Sequence, residues 1–349
     1  MRTLFYLFIL ILFSACGSRN VFLGEFRHFD LPVGEQIEGK IITHNVAGSV
    51  ACYAVDSTML FYTPLHPKFR VVACDRNTMQ IRDTLIFVGR GPAEYSNPNL
   101  YSKVFAKSGE SCVWMYAAER CEAVCLNVTR SLQEERNIID TLISIRDFNT
   151  SLGDVRGQFV DFQVLNDSLA YCETVNESEQ ESRFIYNFLA KEVSVNLDSF
   201  YAPVENLYIM SAIVAFSPDN KYMARSLSVF NQIDICELDG SGAYSISELD
   251  RPKNYLELDH YTPEDVSVAS SKGMIVADMT STQDRLVVLR YDFELNKSEI
   301  LIFDWAGKLH HRLLPVTPFT AFSLSDDGLL YGFVSDEELC VIPFNNYLE

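Results

Sequence analysis

The chain has 349 residues, and 28 lysines and arginines against 47 aspartates and glutamates give it a formal net charge of −19. Hydrophobic residues make up 48% of the chain and charged residues 21%, which is typical of a folded globular protein rather than a disordered one. The acidic charge argues against sequence-independent binding to nucleic acid and against electrostatic docking on anionic lipid, since both need a cationic surface. We therefore expect no nucleic-acid partner.

The first sixteen residues have the pattern of an export signal. Arg2 supplies a positive charge, and an unbroken apolar run over 4–13 follows it. This run is shorter than the roughly 20 residues that span a bilayer, and its length suits the hydrophobic region of a signal peptide. Ser14, Ala15 and Cys16 come next, and small residues before a cysteine resemble the lipobox of bacterial lipoproteins. An ordinary signal peptide cut after Ala15 is the alternative.

These residues predict three segments: a lipoprotein signal peptide over 1–15, a lipidated tether over 16–25 and one folded domain over 26–349. Lipidation of Cys16 would attach the protein to a membrane through its acyl chains alone. Gly17 rather than Asp follows the cysteine, which by resemblance to the usual sorting rule indicates the outer membrane. No acidic cluster resembling a surface-export signal comes after it, so we expect a position facing the periplasm, with the cell surface as the alternative.

Eight further cysteines follow Cys16, and most of them sit inside apolar runs, where cysteine behaves as a small hydrophobic residue. A chain of this size can build a core without disulfides. On a strand, Cys121 and Cys125 would lie about 13 Å apart, too far for a disulfide. Neither a histidine nor a second cysteine pair stands at zinc spacing from them. The sequence therefore predicts buried thiols that are mostly reduced.

A turn signal rich in Asp, Asn, Ser and Gly recurs along the chain at intervals of 52 to 59 residues, at positions 56, 108, 167, 219, 272 and 327. Apolar runs of strand type flank each turn, which indicates hairpins between antiparallel strands. Six units of this length, each with room for four short strands, predict an all-β fold, namely a six-bladed β-propeller. A β-sandwich is the alternative, although a sandwich does not require a six-fold period.

A second mark follows the turns: an apolar strand that ends in Asp or Asn. In four units it stands 18 to 20 residues after the turn, at Asp75, Asn127, Asp239 and Asn345. In the third unit the stretch 188–191 takes this place without a polar residue. In the fifth unit Asp304 stands 32 residues after the turn, which we interpret as an insertion at about 280–296.

The last unit is short, with 22 residues after position 327. The stretch 26–46, which contains Ile41, Ile42 and Val46, lies outside the repeat. We expect this stretch to supply the missing outer strand of the last blade. An N-terminal strand in that place would close the ring and remove the open edge between the first and last blades.

Two segments resemble a known family. The segment 216–224 (FSPDNKYMA) is similar to the F-S-P-D-G-K-x-L-A signature of TolB-type propeller repeats, with Asn220 in place of Gly. The segment 88–95 (VGRGPAEY) resembles the G-x-G-P-G-E-F segment of TolB-like six-bladed propeller lipoproteins, with Ala93 and Tyr95 as departures. Lipobox, N-terminal strand and six units follow in the family's order, so the resemblance covers nearly the whole chain. Most members have no assigned activity, so it implies fold and location more than function.

Motifs of catalysis or cofactor binding are scarce. The 89–91 Gly-Arg-Gly lacks the G-K-[ST] of a phosphate loop and a following helix, so we interpret it as a turn between blades, with Arg90 at a propeller face. The six histidines form no HExxH or His-x-His pattern, and the stretch 292–303 lacks the Gly and Glu of an EF-hand. We name no catalytic, cofactor-binding or metal-binding residue and expect no cofactor.

Propeller active sites draw residues from several blades, so linear spacing does not reveal them. Our leading hypothesis is a lipid-anchored, monomeric propeller, not an enzyme, that presents a face or an axial funnel to a protein, peptide or glycan partner. The alternative is a hydrolase or lyase with a metal or acid/base site at the axis. A structural component of the envelope is a third hypothesis. Three or four carboxylate, Asn or His side chains converging within metal-bonding distance at the axis would favour the enzyme. An apolar or mixed funnel with aromatic residues at its rim would favour binding.

Overall fold

The computed structural model describes residues 19–107, 109–145, 158–175, 181–227 and 229–348. Cys16 and the expected signal peptide lie outside these residues. In the described part of the chain, 26 strands form six sheets of four or five strands each. Neighbouring sheets pack against each other around a ring, so the expected all-β, six-bladed β-propeller is confirmed.

Three short strands precede the first blade: β1 (Glu25–His28), β2 (Glu35–Ile37) and β3 (Lys40–Thr43). Blade 1 contains β4 (Ala51–Val55), β5 (Thr58–Tyr62), β6 (Phe69–Asp75) and β7 (Ile81–Phe87). Blade 2 contains β8 (Pro98–Lys107), β9 (Glu110–Ala117), β10 (Glu122–Asn127) and β11 (Ile139–Ser144). Blade 3 contains β12 (Gln158–Val164), β13 (Leu169–Val175), β14 (Glu181–Asn187) and β15 (Glu192–Asn196).

Blade 4 contains β16 (Ala212–Phe216), β17 (Tyr222–Leu227), β18 (Gln232–Glu237) and β19 (Ala243–Ser247). Blade 5 contains β20 (Ile275–Ser281), β21 (Arg285–Asp292), β22 (Lys297–Asp304) and β23 (Leu309–Pro315). Blade 6 contains β24 (Ala321–Leu324), β25 (Leu329–Phe333) and β26 (Glu338–Pro343). Consecutive strands of each blade pair antiparallel, and the first strand of each blade is the innermost.

The described residues contain few helices, and these lie in loops. They are α1 (Val128–Glu134), α2 (Tyr255–Leu258), α3 (Pro263–Ser270) and four single turns of 3₁₀ helix at Ala118–Arg120, Leu197–Phe200, Leu207–Met210 and Asn345–Tyr347. The helix α3 begins with a capping box, in which the Thr262 and Asp265 side chains each accept the other's backbone N–H. Among the described residues no helix has the length and apolar character needed to span a membrane.

The expected closure of the ring by the stretch 26–46 is confirmed. The strand β3 pairs antiparallel with β26 as the outermost strand of blade 6, with Ile42 opposite Leu339. Two further strands were not predicted: β1 pairs parallel with β19 on the outer edge of blade 4, and β2 pairs parallel with β23 on the outer edge of blade 5. Residues 19–43, which we call the N-terminal strap, therefore run along the outside of three successive blades.

The strap packs on the propeller before residue 26, where the sequence places the start of the folded domain. Val21 and Phe22 are buried in the core between blades 3 and 4. Phe22 forms a β-bridge with Tyr201, and the two rings meet edge to face with centroids 5.4 Å apart. The segment expected to be a tether, 16–25, therefore includes core residues. Its short mixture of polar and apolar residues carries no strand periodicity, which is why the sequence did not reveal this packing.

Six clusters of buried hydrophobic residues make up the core, one between each pair of neighbouring blades. Side chains of a strand alternate between its two faces, so one strand serves two clusters. In β5, Leu60 packs towards blade 2, whereas Met59 and Phe61 pack towards blade 6. Both faces of a blade are therefore apolar, which explains the continuous apolar runs in the sequence.

The repeat boundaries predicted for the fifth unit were wrong. The turn between the first two strands of blade 5 lies at 282–284, and position 272 lies in the connection from blade 4 to blade 5. Counted from position 283, Asp304 follows after 21 residues, close to the spacing in other units. The extra residues are therefore not an insertion at 280–296. They form the connection 248–274, which contains α2 and α3.

The third unit does carry the polar residue that the sequence analysis missed. Asn187 ends β14, and its side-chain oxygen accepts the N–H groups of Leu189 and Ala190. Asp75 at the end of β6 does the same for the N–H groups of Asn77 and Thr78. The Asp or Asn at this place thus ends the third strand by capping the turn that follows it.

Candidate functional site

Because the strands of each blade are antiparallel, the loops between them lie on two opposite faces of the ring. The turns between first and second strands, and between third and fourth strands, lie on one side, which we call the turn face. The loops between second and third strands lie on the other side with the connections between blades, and we call this side the connection face. Any ligand that binds on the end of the ring meets one of these two sets of loops.

The turn face is used for contacts between blades. The side chains of three turn aspartates accept hydrogen bonds from the next blade around the ring: Asp56 from Ser111, Asp219 from Gln283, and Asp327 from Arg76. The turn that resembles the TolB signature is one of these three. Its Asn220 has a φ of 56°, a left-handed conformation that asparagine tolerates, as the exchange for glycine requires. Packing therefore explains the recurrent turn signal.

The Gly-Arg-Gly segment is a connection between blades 1 and 2, as expected. Glu94 accepts the Gly91 N–H at 2.8 Å, and a Cβ at Gly89 would overlap the Glu94 carboxylate. The Arg120 guanidinium donates to the Gly91 carbonyl and stacks 4.9 Å above the Tyr95 ring. The glycines are therefore needed for close packing around Glu94. Arg90 is exposed on the connection face.

Two carboxylates on the innermost strands are bonded to the backbone of the sheets. Asp278 on β20 accepts the N–H of Met279 at 2.8 Å and, across to blade 6, the N–H of Phe322 at 2.9 Å. Burial raises the pKa of Asp278 to about 6. Burial, together with the charge of Asp278, also raises the pKa of Tyr53 on the innermost strand of blade 1. Asp278 therefore joins innermost strands of neighbouring blades.

The second of these carboxylates is Asp161 on β12, the innermost strand of blade 3. It accepts the N–H of Phe162 and the side-chain N–H of Gln163, both at 2.9 Å. Like Asp278, it lies where an irregularity interrupts strand pairing, so that its side chain bonds the backbone N–H of the next residue. Across the described ranges, no three His, Cys, Asp or Glu residues are grouped so that they could hold a metal ion.

A buried ionic network lies between blades 3 and 4. Arg225 is 1% exposed, and its guanidinium stacks 5.0 Å above the Tyr201 ring and lies 3.8 Å from the Glu173 carboxylate. Arg183 binds the same carboxylate at 2.8 Å. The Tyr201 hydroxyl donates to Asp234 at 3.0 Å, and burial raises the pKa of Asp234 to about 6. The sequence analysis missed this network because its members lie on five different segments.

An open crevice of about 430 Å³ lies at the outer rim between β7 and α1. It is lined by Arg82, Asp83, Leu132, Gln133 and Glu135. Arg82 is bound to the Asp75 carboxylate, and Asp83 accepts the N–H of Thr84. The crevice is therefore mostly polar, and its Arg82 and Asp83 already have partners within blade 1.

The connection face differs from the turn face in its exposed apolar side chains. Its loops carry eight large ones, which are Val50, Leu65, Tyr208, Leu256, Val268, Phe293, Leu295 and Val316. Among the described loops of the turn face, Leu189 is the one such side chain. Leu65 is 92% exposed. Exposed apolar side chains are therefore more numerous on the loops of the connection face than on the described loops of the turn face.

The long connection 248–274 joins blade 4 to blade 5 in the chain and packs on the core between blades 3 and 4. Leu258 and Val266 are buried and hold α2 and α3 on the core. Asp259 accepts the N–H groups of Glu205 and Asn206, at 3.1 and 2.8 Å, which ties this connection to the one that precedes blade 4. The buried residues and hydrogen bonds of the connection therefore hold its exposed residues in fixed positions.

No protein-family model matches the chain, and no curated protein matches it. A solved structure from Bacteroides fragilis NCTC 9343, described as an exported protein, is 12% identical with a TM-score of 0.49, over 89% of this chain and 87% of that one. The β-propeller domain of Myceliophteria thermophila Cps50 (Swd1) is 9% identical with a TM-score of 0.49, over 87% of this chain and 98% of that one. Hydrazine synthase from Kuenenia stuttgartiensis is 12% identical with a TM-score of 0.48, over 86% and 97%.

Similarity at this level carries no argument about function. The propeller architecture itself follows from the six sheets and the six clusters between them. Membership of the TolB-like lipoprotein family stays a prediction that depends on the turn signature, the Gly-Arg-Gly-Pro segment and the lipobox.

Proposed function

We propose that the protein is a lipid-anchored binding module of the bacterial envelope, and that it binds a protein or peptide partner through its connection face. The observation that carries this proposal is the unequal distribution of exposed apolar side chains, eight on the loops of the connection face against Leu189 on the described loops of the turn face. Apolar side chains exposed together on one face of a folded domain are typical of a binding site.

The architecture supports this assignment because it separates stability from binding. The core clusters and the turn aspartates hold the blades together from the sides and from the turn face. The connection loops are free to vary in length, as the 248–274 connection does. Binding residues are commonly found on loops that a rigid scaffold positions.

The location is part of the proposal. Lipidation at Cys16 would hold the module on the periplasmic side of the outer membrane. Replacing this residue by alanine should release the protein from the membrane fraction and abolish incorporation of labelled fatty acid. Unchanged partitioning with no loss of label would contradict the anchor and leave the binding function to be tested separately.

The binding function is tested by photo-crosslinking in envelope extracts. A photoreactive amino acid is placed at Leu65 or Val316 on the connection face, and at Leu189 on the turn face as the matched control. We expect a discrete cross-linked protein from the two connection-face positions and none from the control. Equal cross-linking from both faces, or none from the connection face, would contradict a protein partner. If no protein is cross-linked from the connection face, retention on envelope polysaccharide would indicate a glycan partner instead.

A further inference from the structure

One part of the connection face carries both apolar and acidic exposed residues. We call it the insert sector and define it as the exposed residues of 205–208, 248–272 and 293–296. The contacts of Asp259 join the first two segments. Glu248, at the start of the insert, accepts hydrogen bonds from Arg290, which lies three residues before Phe293. All three segments are therefore tied to one another through their bases.

The apolar part of the sector has five large side chains: Tyr208, Leu256, Val268, Phe293 and Leu295, which are 41–62% exposed. The Phe293 ring meets the Tyr291 ring edge to face at 4.8 Å, which fixes its direction. Leu256 and Val268 each lie two residues from a buried side chain of the same helix, Leu258 and Val266. These side chains are thus held by folded elements and are suited to serve as anchors for a partner.

The charged part of the sector is negative. Its exposed acidic residues are Glu205, Asp250, Glu257, Glu264, Asp265 and Glu294, against Arg251 and Lys272 as exposed basic residues. Lys253 does not offset them at the surface, because its ammonium group is turned inward and donates to the Val229 carbonyl at 2.6 Å, where burial lowers its pKa. Each exposed apolar side chain has an exposed acidic residue within three positions of it in the chain, so the sector is both apolar and negative.

We propose that the insert sector binds a segment of the partner protein in which apolar side chains are flanked by Lys or Arg. This inference rests on the proposed function and adds the chemistry of its partner. Burial of the apolar anchors supplies affinity, while the acidic side chains beside them speed association with cationic segments and disfavour acidic ones. The loop of Leu65 lacks these acidic neighbours and carries His66 and Lys68 instead.

The test uses the full mature chain with Cys16→Ala and a phage-displayed library of short random peptides as the probe. We expect the enriched peptides to combine aromatic or aliphatic residues with a net positive charge, and their affinity to fall as salt concentration rises. The pair Leu256→Ser and Val268→Ser should weaken binding of an enriched peptide by about ten-fold or more. The pair Glu257→Lys and Glu294→Lys should weaken it by a similar factor and remove most of the salt dependence.

Matched controls lie on the turn face. Leu189→Ser replaces an exposed apolar side chain and Asp284→Lys replaces an exposed acidic one. Binding should be unchanged in both variants. Cooperative urea unfolding of each variant verifies that it is folded. Enriched peptides that are neutral or acidic, or binding that the sector substitutions do not weaken, would overturn the inference. Cross-linking from Leu65 and Val316 tests the binding function independently of the insert sector. Failure of the sector and failure of the binding function are therefore distinguishable.

Discussion

Arg76 of blade 1 and Asp327 of blade 6 form a two-point ion pair across the seam where the ring closes. The two guanidinium nitrogens of Arg76 donate to the two carboxylate oxygens at 2.6 and 3.1 Å. The Ser325 hydroxyl also donates to Asp327, and this bond, together with the charge and hydrogen bonds of Arg76, lowers the pKa of the Asp327 carboxyl. The seam is thus held by side chains on the turn face and by β3 on the outer edge.

Substitution of either partner should weaken the closed ring slightly. The Arg76 side chain is 17% exposed and that of Asp327 is 49% exposed, so solvent screens much of their attraction. We expect Arg76→Ala to lower the free energy of unfolding by about 0.5–1 kcal/mol. A double-mutant cycle with Asp327→Ala, followed by urea unfolding, measures the coupling. Independent effects of the two substitutions would show that the pair does not stabilise the seam.

Replacing Asp278 by Asn should change how stability depends on pH. The pKa of Asp278 is raised to about 6 in the folded protein, from 3.8, so the folded state holds this proton more firmly than the unfolded state. Protonated Asp278 therefore contributes stability to the wild-type protein at low pH. This contribution is lost as the pH rises from about 4 through about 6.

The variant carries no such carboxyl. Its stability relative to the wild type should therefore rise by about 1–3 kcal/mol over this pH window. Urea unfolding at several pH values measures the difference. Asp234, whose pKa is also raised, is present in both proteins, so its contribution cancels. Asp284→Asn on the exposed turn of blade 5 is the control. A difference that stays constant with pH would contradict this assignment.

Truncation of the N-terminal strap should have effects that depend on where it ends. Removal of residues up to Gly34 takes away β1 and the buried Phe22, and we expect a less stable monomer. Removal of residues up to Thr43 also takes away β3, which exposes the edge of β26, and we expect aggregation. Light scattering after size-exclusion chromatography distinguishes the two products. A soluble, equally stable monomer after the longer truncation would show that β3 is dispensable.

The eight cysteines in the described residues are free thiols, and all but Cys121 are buried. Burial raises the pKa of the Cys52 thiol to about 12 and that of Cys74 to about 11, which suppresses the reactive thiolate. A thiol reagent should therefore react with at most Cys121 in the native protein, and with all eight after denaturation. Cys121→Ser should remove the native reaction. Absence of free thiols in a denatured, unreduced sample would indicate disulfides instead.

The sequence was sufficient for the fold because the same local pattern is repeated six times. Hairpin turns alternate with strands that are apolar on both faces, and a blade packed between two others requires both properties. The strands β1 and β2 escaped prediction because they are three or four residues long and mostly polar. Their pairing depends on the edges of blades 4 and 5, which are distant in sequence.

The fifth unit was misread because 271–273 has the composition of a hairpin turn. Gly273 does adopt a left-handed φ of 69°, but it joins α3 to β20 rather than two strands. The candidate binding surface was also beyond prediction. Within α2, Leu256 is exposed and Leu258 is buried, although both are leucines with acidic neighbours. Tertiary packing decides which side chains stay outside.

The pairing of Ile42 with Leu339 has a consequence for the order of synthesis. The strand that completes blade 6 leaves the ribosome before any residue of blade 1, and its partner β26 is made almost last. Contacts so distant in sequence form slowly, because the intervening chain must first be arranged. Until blade 6 is made, β3 has no partner, and the blades already formed are not closed into a ring.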